Sequence, residues 1–200
     1  MAEPAGRIAA LAHLDLAHRP MQPAAPLRLG ERPFTSKVEL RGRAEVATLA
    51  GTALGFELPR EVGATSFGEG AHVLMLGPDQ WWVTAEPGFE QAIVDVLEDA
   101  LAQVPHAVVD ISERLTVLWI EGAPAGAVLA AGCPLDLHPR SFRPGRCASS
   151  HLGKVPVTIH YVAGNEARPF FDLYVNRTFA EYAWRFLELA AREHGYTIIP

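Results

Sequence analysis

The feature that most constrains this chain is an internal repeat. Gly42, Ala47, Leu49, Ala50, Pro59 and Arg60 recur after an ungapped shift of 80 as Gly122, Ala127, Leu129, Ala130, Pro139 and Arg140. Each copy reads as a short apolar strand ending at glycine, a small-residue helix, and a Pro-Arg pair beyond it. A second correspondence comes at a shift of 90. Phe89, Ala92, Ile93, Val96, Leu97, Ala100, Leu101 and Val104 follow the i, i+3, i+4, i+7 rhythm of a buried helical face. They map onto Phe179, Tyr182, Ala183, Phe186, Leu187, Ala190, Ala191 and His194. The change of offset places ten extra residues in the second copy, between Phe142 and Phe170.

Flanking segments rich in Val, Ile, Leu and aromatics, at 72–77, 81–85, 107–111, 115–121, 154–162 and 170–175, read as strands. Each copy therefore has the order strand, helix, two strands, helix, strand, which is the split-βαβ, ferredoxin-like unit. The expected fold is α+β, with two tandem ferredoxin-like βαββαβ units over 34–112 and 113–200. Only Ser112, Glu113 and Arg114 separate the copies, too short a join for a flexible linker, so one pseudo-symmetric body is expected. Thr178 and Glu181 have capping-box spacing before the last long helix, Gly195 is placed to stop it, and Pro87 and Pro124 suit first helical turns.

Residues 1–33 differ, with Pro4, Pro20, Pro23, Pro26 and Pro33 breaking up any helix or central strand and one short helix expected around Ile8 to Ala17. The segment reads as an extended, Pro-rich N-terminal arm. Leu11, Leu14, Leu16, Leu27 and Leu29 make it apolar for a linker, leaving a loose terminus and a segment ordered against a partner both open.

A net charge of −6 and a pI near 5.7 exclude a sequence-independent grip on nucleic acid. Cys133 and Cys147 make neither a disulfide framework nor a zinc spacing, and no apolar run is long enough to span a bilayer, which points to a cytoplasmic protein. Gly68-Glu69-Gly70 and Gly77-Pro78-Asp79 are turns rather than phosphate-cradling loops. Histidines at 13, 18, 72, 106, 138, 151, 160 and 194 contain no i, i+4 metal pair, and Glu90, Asp95, Glu98 and Asp99 lie mainly off the apolar stripe. Serines 112, 141, 149 and 150 lack nucleophile-elbow surroundings. No catalytic, cofactor or metal residue is assigned.

Trp81 and Trp82 point to opposite faces of their strand, and Trp82 is the candidate for the outward one. It serves either as an aromatic anchor at a subunit interface or as a second covered indole. Arg140, Arg143 and Arg146 cluster within seven positions and suit an anion, an acidic partner surface or a solvated loop. Arg114 and Arg177 complete the candidate interface set, with internal pairing of Arg114 to Asp110 or Asp136 as the alternative.

Several segments together resemble the gamma subunit of heterotetrameric sarcosine oxidase: Leu76-Gly77-Pro78-Asp79-Gln80-Trp81, Val109-Asp110-Ile111-Ser112 with Arg114, and Gly132-Cys133-Pro134-Leu135-Asp136-Leu137. Gly145-Arg146-Cys147-Ala148, and Asn176-Arg177-Thr178-Phe179-Ala180 with Tyr182 and Trp184, complete the set; Thr178 stands where serine is more typical. The resemblance implies a noncatalytic structural role beside alpha, beta and delta subunits. The complex it implies oxidatively demethylates sarcosine to glycine, yielding hydrogen peroxide and formaldehyde or 5,10-methylenetetrahydrofolate. FAD, FMN, NAD, zinc and tetrahydrofolate chemistry then belong to the other subunits, with no cofactor here. The family is also similar to the folate-binding domain of aminomethyltransferases, so the alternative is a folate-binding protein of that kind using the groove between the copies.

Overall fold

A computed structural model describes residues 6–19, 22–68, 70–165 and 167–200. In chain order the strands and α-helices are β1 (Leu27–Arg32), β2 (Ser36–Gly42), α1 (Ala44–Leu54), β3 (Thr65–Gly68), β4 (Ala71–Gly77), β5 (Gln80–Ala85), α2 (Glu90–Leu101) and β6 (His106–Asp110). There follow β7 (Leu115–Glu121), α3 (Ala125–Ala130), β8 (Arg146–Leu152), β9 (Val155–Ala163), β10 (Phe170–Asn176), α4 (Ala180–Ala191) and β11 (Tyr196–Ile198). The chain divides into two compact units, one holding Phe34–Leu115 and the other combining residues up to Pro33 with Thr116–Pro200.

The Phe34–Leu115 unit is a five-stranded sheet in the order β3-β4-β5-β2-β6. Val38, Leu40, Val73, Met75, Trp81 and Val83 project from one face of it onto Val46, Ala47 and Ala50 of α1 and Ile93, Leu97 and Leu101 of α2. Gly55 ends α1 in the left-handed conformation, φ 81°, with its N–H donating to the Gly51 carbonyl. The entry to α2 is held from β2: the Phe89 N–H donates to Ser36 Oγ at 2.9 Å, and Ser36 Oγ donates to Glu90 at 2.6 Å. Pro87 accordingly lies outside the first turn, because the cap is supplied by Ser36. The α2 stripe is also narrower than its periodicity suggests, with Phe89 and Val96 exposed.

The other unit is a six-stranded sheet in the order β11-β1-β7-β10-β9-β8. Its core joins Leu27, Leu29, Leu118, Ile120, Ile159, Phe171 and Leu173 to Val128 and Leu129 of α3 and Ala183, Trp184 and Leu187 of α4. Pro124 flanks α3 with φ −78°, as its ring requires. The expected capping box before α4 is not formed: Arg177–Phe179 make a short 3-10 turn, and no side chain caps the helix. Glu181 instead accepts from Arg185 at 2.8 Å and meets His13 at 3.0 Å, and these two partners hold its carboxyl below the ordinary range. A guanidinium and an imidazole offer a carboxylate more than one backbone N–H does. Gly195 follows the helix at φ 76°.

The main departure from the sequence expectation concerns the N-terminal segment. Leu27–Arg32 is an interior strand, antiparallel to β7 and parallel to β11. Its apolar residues alternate into the core, Leu27 and Leu29 both fully buried, so the reach of a free arm stops short of residue 27. Upstream, short 3-10 turns cover Ala12–Leu14 and Leu16–His18, and Leu11 is buried in the same core. Residues 1–5, 20 and 21, including Pro4 and Pro20, and Glu69 of the Gly68–Gly70 turn, lie outside the described residues. With β1 set aside, this sheet reads β8-β9-β10-β7-β11, the order of β3-β4-β5-β2-β6 element for element.

Candidate functional site

Within the Phe34–Leu115 unit, the alternation of β5 sends the adjacent indoles to opposite faces. Trp81 enters the helix-side core, and its Nε1 donates to the Pro59 carbonyl at 2.9 Å. Trp82 faces the other way, opposite Glu39 on β2 and Leu74 on β4, and is only 5% exposed. Of the two readings open for Trp82, the geometry gives a covered indole. The same face carries Lys37, which is fully buried and whose Nζ donates to the Thr35 carbonyl.

Ser112 fixes Lys37 through the backbone. The Lys37 N–H donates to Ser112 Oγ at 2.9 Å, Ser112 Oγ donates back to the Lys37 carbonyl at 3.3 Å, and the Ser112 N–H donates to Asp110 at 2.8 Å. The Asp110-Ile111-Ser112 run therefore works as a clasp returning the end of this unit onto β2. Arg114 pairs with neither Asp110 nor Asp136. Its guanidinium lies 3.9 Å from Glu39, whose other oxygen accepts from Arg41 at 2.6 Å and Gln80 at 3.0 Å. Asp110 is already turned to Ser112. Asp136 accepts from Ser141 at 2.6 Å and from the His138 N–H at 3.0 Å, which depresses its carboxyl below the usual range.

In the other unit, Arg177 donates to the Ile8 carbonyl at 2.6 Å and so ties the N-terminal segment to the start of α4. Arg140 and Arg143 stand exposed in the loop before β8, where the Arg140 N–H donates to His138 Nδ1 at 3.2 Å. Arg146 opens β8 opposite Tyr161, and its N–H donates to the Arg143 carbonyl. The six candidates are divided between the units: Trp82 and Arg114 belong to one and the four remaining arginines to the other.

A polar row on the six-stranded sheet was missed by sequence reasoning. Cys147 on β8 faces His160 on β9, which faces Asp172 on β10, and Arg32 of β1 forms an ion pair with Asp172. Cys147, His160 and Asp172 are all buried. They belong to three consecutive strands, at positions that no local motif links, and only the strand registers align them. The alternation Val157, Thr158, Ile159, His160, Tyr161 was the available signal, since a strand with an apolar core face was showing polar residues on its reverse. Neither cysteine is in a disulfide, both are buried, and Cys133 Sγ lies 3.6 Å from Ser150 Oγ.

Three depressions lie within single units. Ala47, Thr48, Thr52, Glu57 and Arg60 line one of about 440 Å³ beside α1. A more apolar cleft of about 320 Å³ lies between the end of α1 and the start of α2. In the other unit, a cleft of about 610 Å³ holds Glu121 between Arg28 at 3.1 Å and Arg168 at 2.7 Å. Among the described residues no group of three or more His, Cys, Asp or Glu side chains is placed to hold a metal ion, and no helix is long and apolar enough to cross a membrane.

Two sheets, each with helices packed on one face and polar side chains buried on the other, define a two-unit α+β protein in which Trp82, Arg114 and Arg177 are engaged internally while Arg140 and Arg143 stand exposed. The sarcosine oxidase, gamma subunit family matches residues 41–193. A sarcosine oxidase gamma subunit from Corynebacterium sp. strain U-96 is 40% identical over 135 residues, 66% of this chain and 64% of that relative's length. One from Arthrobacter sp. is 37% identical over 151 residues, 74% of this chain and 73% of the relative. Among solved structures, a chain of the heterotetrameric sarcosine oxidase of Corynebacterium sp. U-96 superposes with a TM-score of 0.83 at 31% identity, covering 97% of this chain and 99% of that one. The glycine cleavage system aminomethyltransferase T of Bartonella henselae shares the fold, with a TM-score of 0.64 at 16% identity over 88% of this chain and 48% of its own. The chain belongs to the sarcosine oxidase gamma subunit family.

Proposed function

We propose that this chain is a noncatalytic structural subunit of a heterotetrameric sarcosine oxidase. The observation that carries this reading is the end-to-end correspondence with one chain of the Corynebacterium heterotetramer, 97% of this chain against 99% of that one. A chain matched over its whole length to one component of an assembly is suited to the same place in an assembly of its own. Its partners are then alpha, beta and delta subunits, and its place in the cell is the cytoplasm. The complex would oxidatively demethylate sarcosine to glycine and release hydrogen peroxide, with the carbon leaving as formaldehyde or as 5,10-methylenetetrahydrofolate. FAD, FMN, NAD and zinc would be held by the other subunits.

Two features support a holding role. The first is tandem architecture: the strand orders of the two sheets agree once β1 is set aside, which suits two ferredoxin-like βαββαβ copies that each carry one further edge strand, β3 or β8, the second having also admitted β1. The second is the exposed Arg140 and Arg143 in the loop before β8, which suit contact with an acidic partner surface. The segment ahead of β1 would serve as the arm, tied at Ile8 by Arg177.

The test is purification of the chain alone and together with the other subunits. A stable complex that turns over sarcosine, with no turnover by the isolated chain, is expected. Turnover by the isolated chain, or failure to enter a flavoprotein complex, would remove the reading.

A further inference from the structure

The apolar cleft of the Phe34–Leu115 unit lies between the end of α1 and the first turns of α2. Leu54 and Phe56 form one wall, Phe89, Ala92 and Val96 the other, and Gly68 lies at its edge, where Phe56 packs so closely that a Cβ would meet its ring at 2.8 Å. Phe89 is 55% exposed and Val96 42%, although the helical rhythm counts both as core. The core is closed by Ile93, Leu97 and Leu101 on the neighbouring stripe, so the Phe89–Val96 flank is apolar surface without a burial role inside the unit.

The rim is acidic. Helix α2 carries Glu90, Asp95, Glu98 and Asp99 and neither Lys nor Arg. Glu86 lines the cleft itself, and Asp95 and Asp99 follow one turn beyond the lining residues Ala92 and Val96 on α2. Over Phe34–Leu115 the sequence has 13 acidic and 5 basic residues, a balance of −8, while the whole chain is only −6. Of the five cations, Arg41 and Arg114 attend Glu39, Lys37 is buried, Arg60 donates to the Ala44 carbonyl and to Thr48, and Arg43 stands exposed just ahead of α1. Glu98 is met by His106 at 3.1 Å, whereas Asp95 and Asp99 are met by neither Lys nor Arg among the described residues.

We infer that this cleft receives a basic segment of a partner subunit, one that inserts an aliphatic or aromatic side chain between Phe89 and Val96 and sets Lys or Arg against Asp95 and Asp99. A second copy of the same face would bring carboxylate against carboxylate. A small polar ligand would find little among these walls to orient it. A basic segment gains apolar burial and charge complementarity together. The inference rests on the reading of the chain as an assembly subunit.

The test uses the full chain co-expressed with the other subunits of its enzyme. Ala92→Trp fills the cleft, the double change Asp95→Lys with Asp99→Lys reverses the rim, and a photocrosslinking side chain at position 96 reports what lies there. Each variant should weaken assembly by about tenfold or more. The charge-reversed chain should also lose the salt sensitivity of wild-type assembly. The crosslink should join a partner peptide with Lys or Arg beside an apolar residue. Wild-type assembly with unchanged behaviour of the charge-reversed chain, or crosslinks only to a second copy or to nothing, overturns the cleft assignment and leaves the subunit reading standing. A wild-type chain that never assembles overturns both. If Ala92→Trp lowers the melting temperature of the isolated chain, the charge reversal and the crosslink decide the outcome.

Discussion

Gly30 on β1 lies directly opposite Trp119 on β7, and a Cβ at position 30 would stand 2.5 Å from the indole ring. The indole therefore occupies the space above the strand, where it also meets Phe170 edge-on with ring centroids 5.7 Å apart. Only a residue without a side chain lets β1 pass beneath it. Because β1 joins β7 to β11, a fault here spreads to both neighbours. Gly30→Val should lower stability by about 1–3 kcal/mol through overpacking. Thermal and denaturant unfolding of the isolated chain measures it, and an unchanged midpoint would show that Trp119 can move aside.

The same strand shows where sequence reasoning stopped. The run Leu27-Arg28-Leu29-Gly30 alternates as a half-buried strand should, but the prolines at 23, 26 and 33 outweighed a pattern only a few residues long. In the fold Pro26 and Pro33 flank β1 and cost its ladder nothing. Strand β8, Arg146-Cys147-Ala148-Ser149-Ser150-His151-Leu152, was missed because its composition is polar; it is an edge strand paired only to β9. The strands built from Val, Ile and aromatics, and helices α2 and α4, were legible because burial there demands long apolar periodicity. The site candidates were less so. The partner of Arg114 is Glu39, remote in sequence, and the row Cys147, His160, Asp172 exists only once two registers are set.

Ser112 is the second place where a single change should tell. Its hydroxyl accepts the N–H of Lys37 and donates to the carbonyl of the same residue, both deeply buried. Ser112→Ala leaves that donor and acceptor without this partner, and water has little access. A loss of about 1–3 kcal/mol is expected. Denaturant titration checks it, with hydrogen exchange at Lys37 as the local readout: faster exchange marks the opened clasp.

His106 gives the Phe34–Leu115 unit a pH dependence of definite sign. Its Nδ1 meets the Val104 carbonyl at 2.8 Å and its Nε2 meets Glu98 at 3.1 Å. Both partners are acceptors, so the doubly protonated ring satisfies both and the neutral ring only one. The Val104 carbonyl is the main cause of a pKa raised above 6.5, with Glu98 adding to it and burial opposing. A raised folded-state pKa means the contribution is complete below the unfolded value of 6.5 and is lost as pH rises through the folded value. Wild type should therefore lose more stability than His106→Gln between slightly acid and slightly alkaline pH. Unfolding midpoints for both proteins across that window measure the difference, and parallel curves would refute it.

Arg32 and Asp172 form an asymmetric pair, the aspartate side chain 6% exposed and the arginine 45%. The guanidinium also lies over the Phe170 ring, 5.5 Å from its centroid, which holds it at the mouth of the polar row. A carboxylate so far from water is expensive to leave without its cation, whereas a neutral amide of the same shape is not. Arg32→Met should cost about 1–3 kcal/mol. Asp172→Asn in the Arg32→Met background should recover part of that loss, while Asp172→Asn alone should destabilise. The coupling from this double-mutant cycle, read from denaturant midpoints, is the quantity that matters. A double mutant destabilised by much less than the sum of the two single changes identifies Arg32 as the group that makes a buried aspartate tolerable beside His160. Strict additivity would mean that Asp172 is held by its other neighbours and that Arg32 only covers the row from outside.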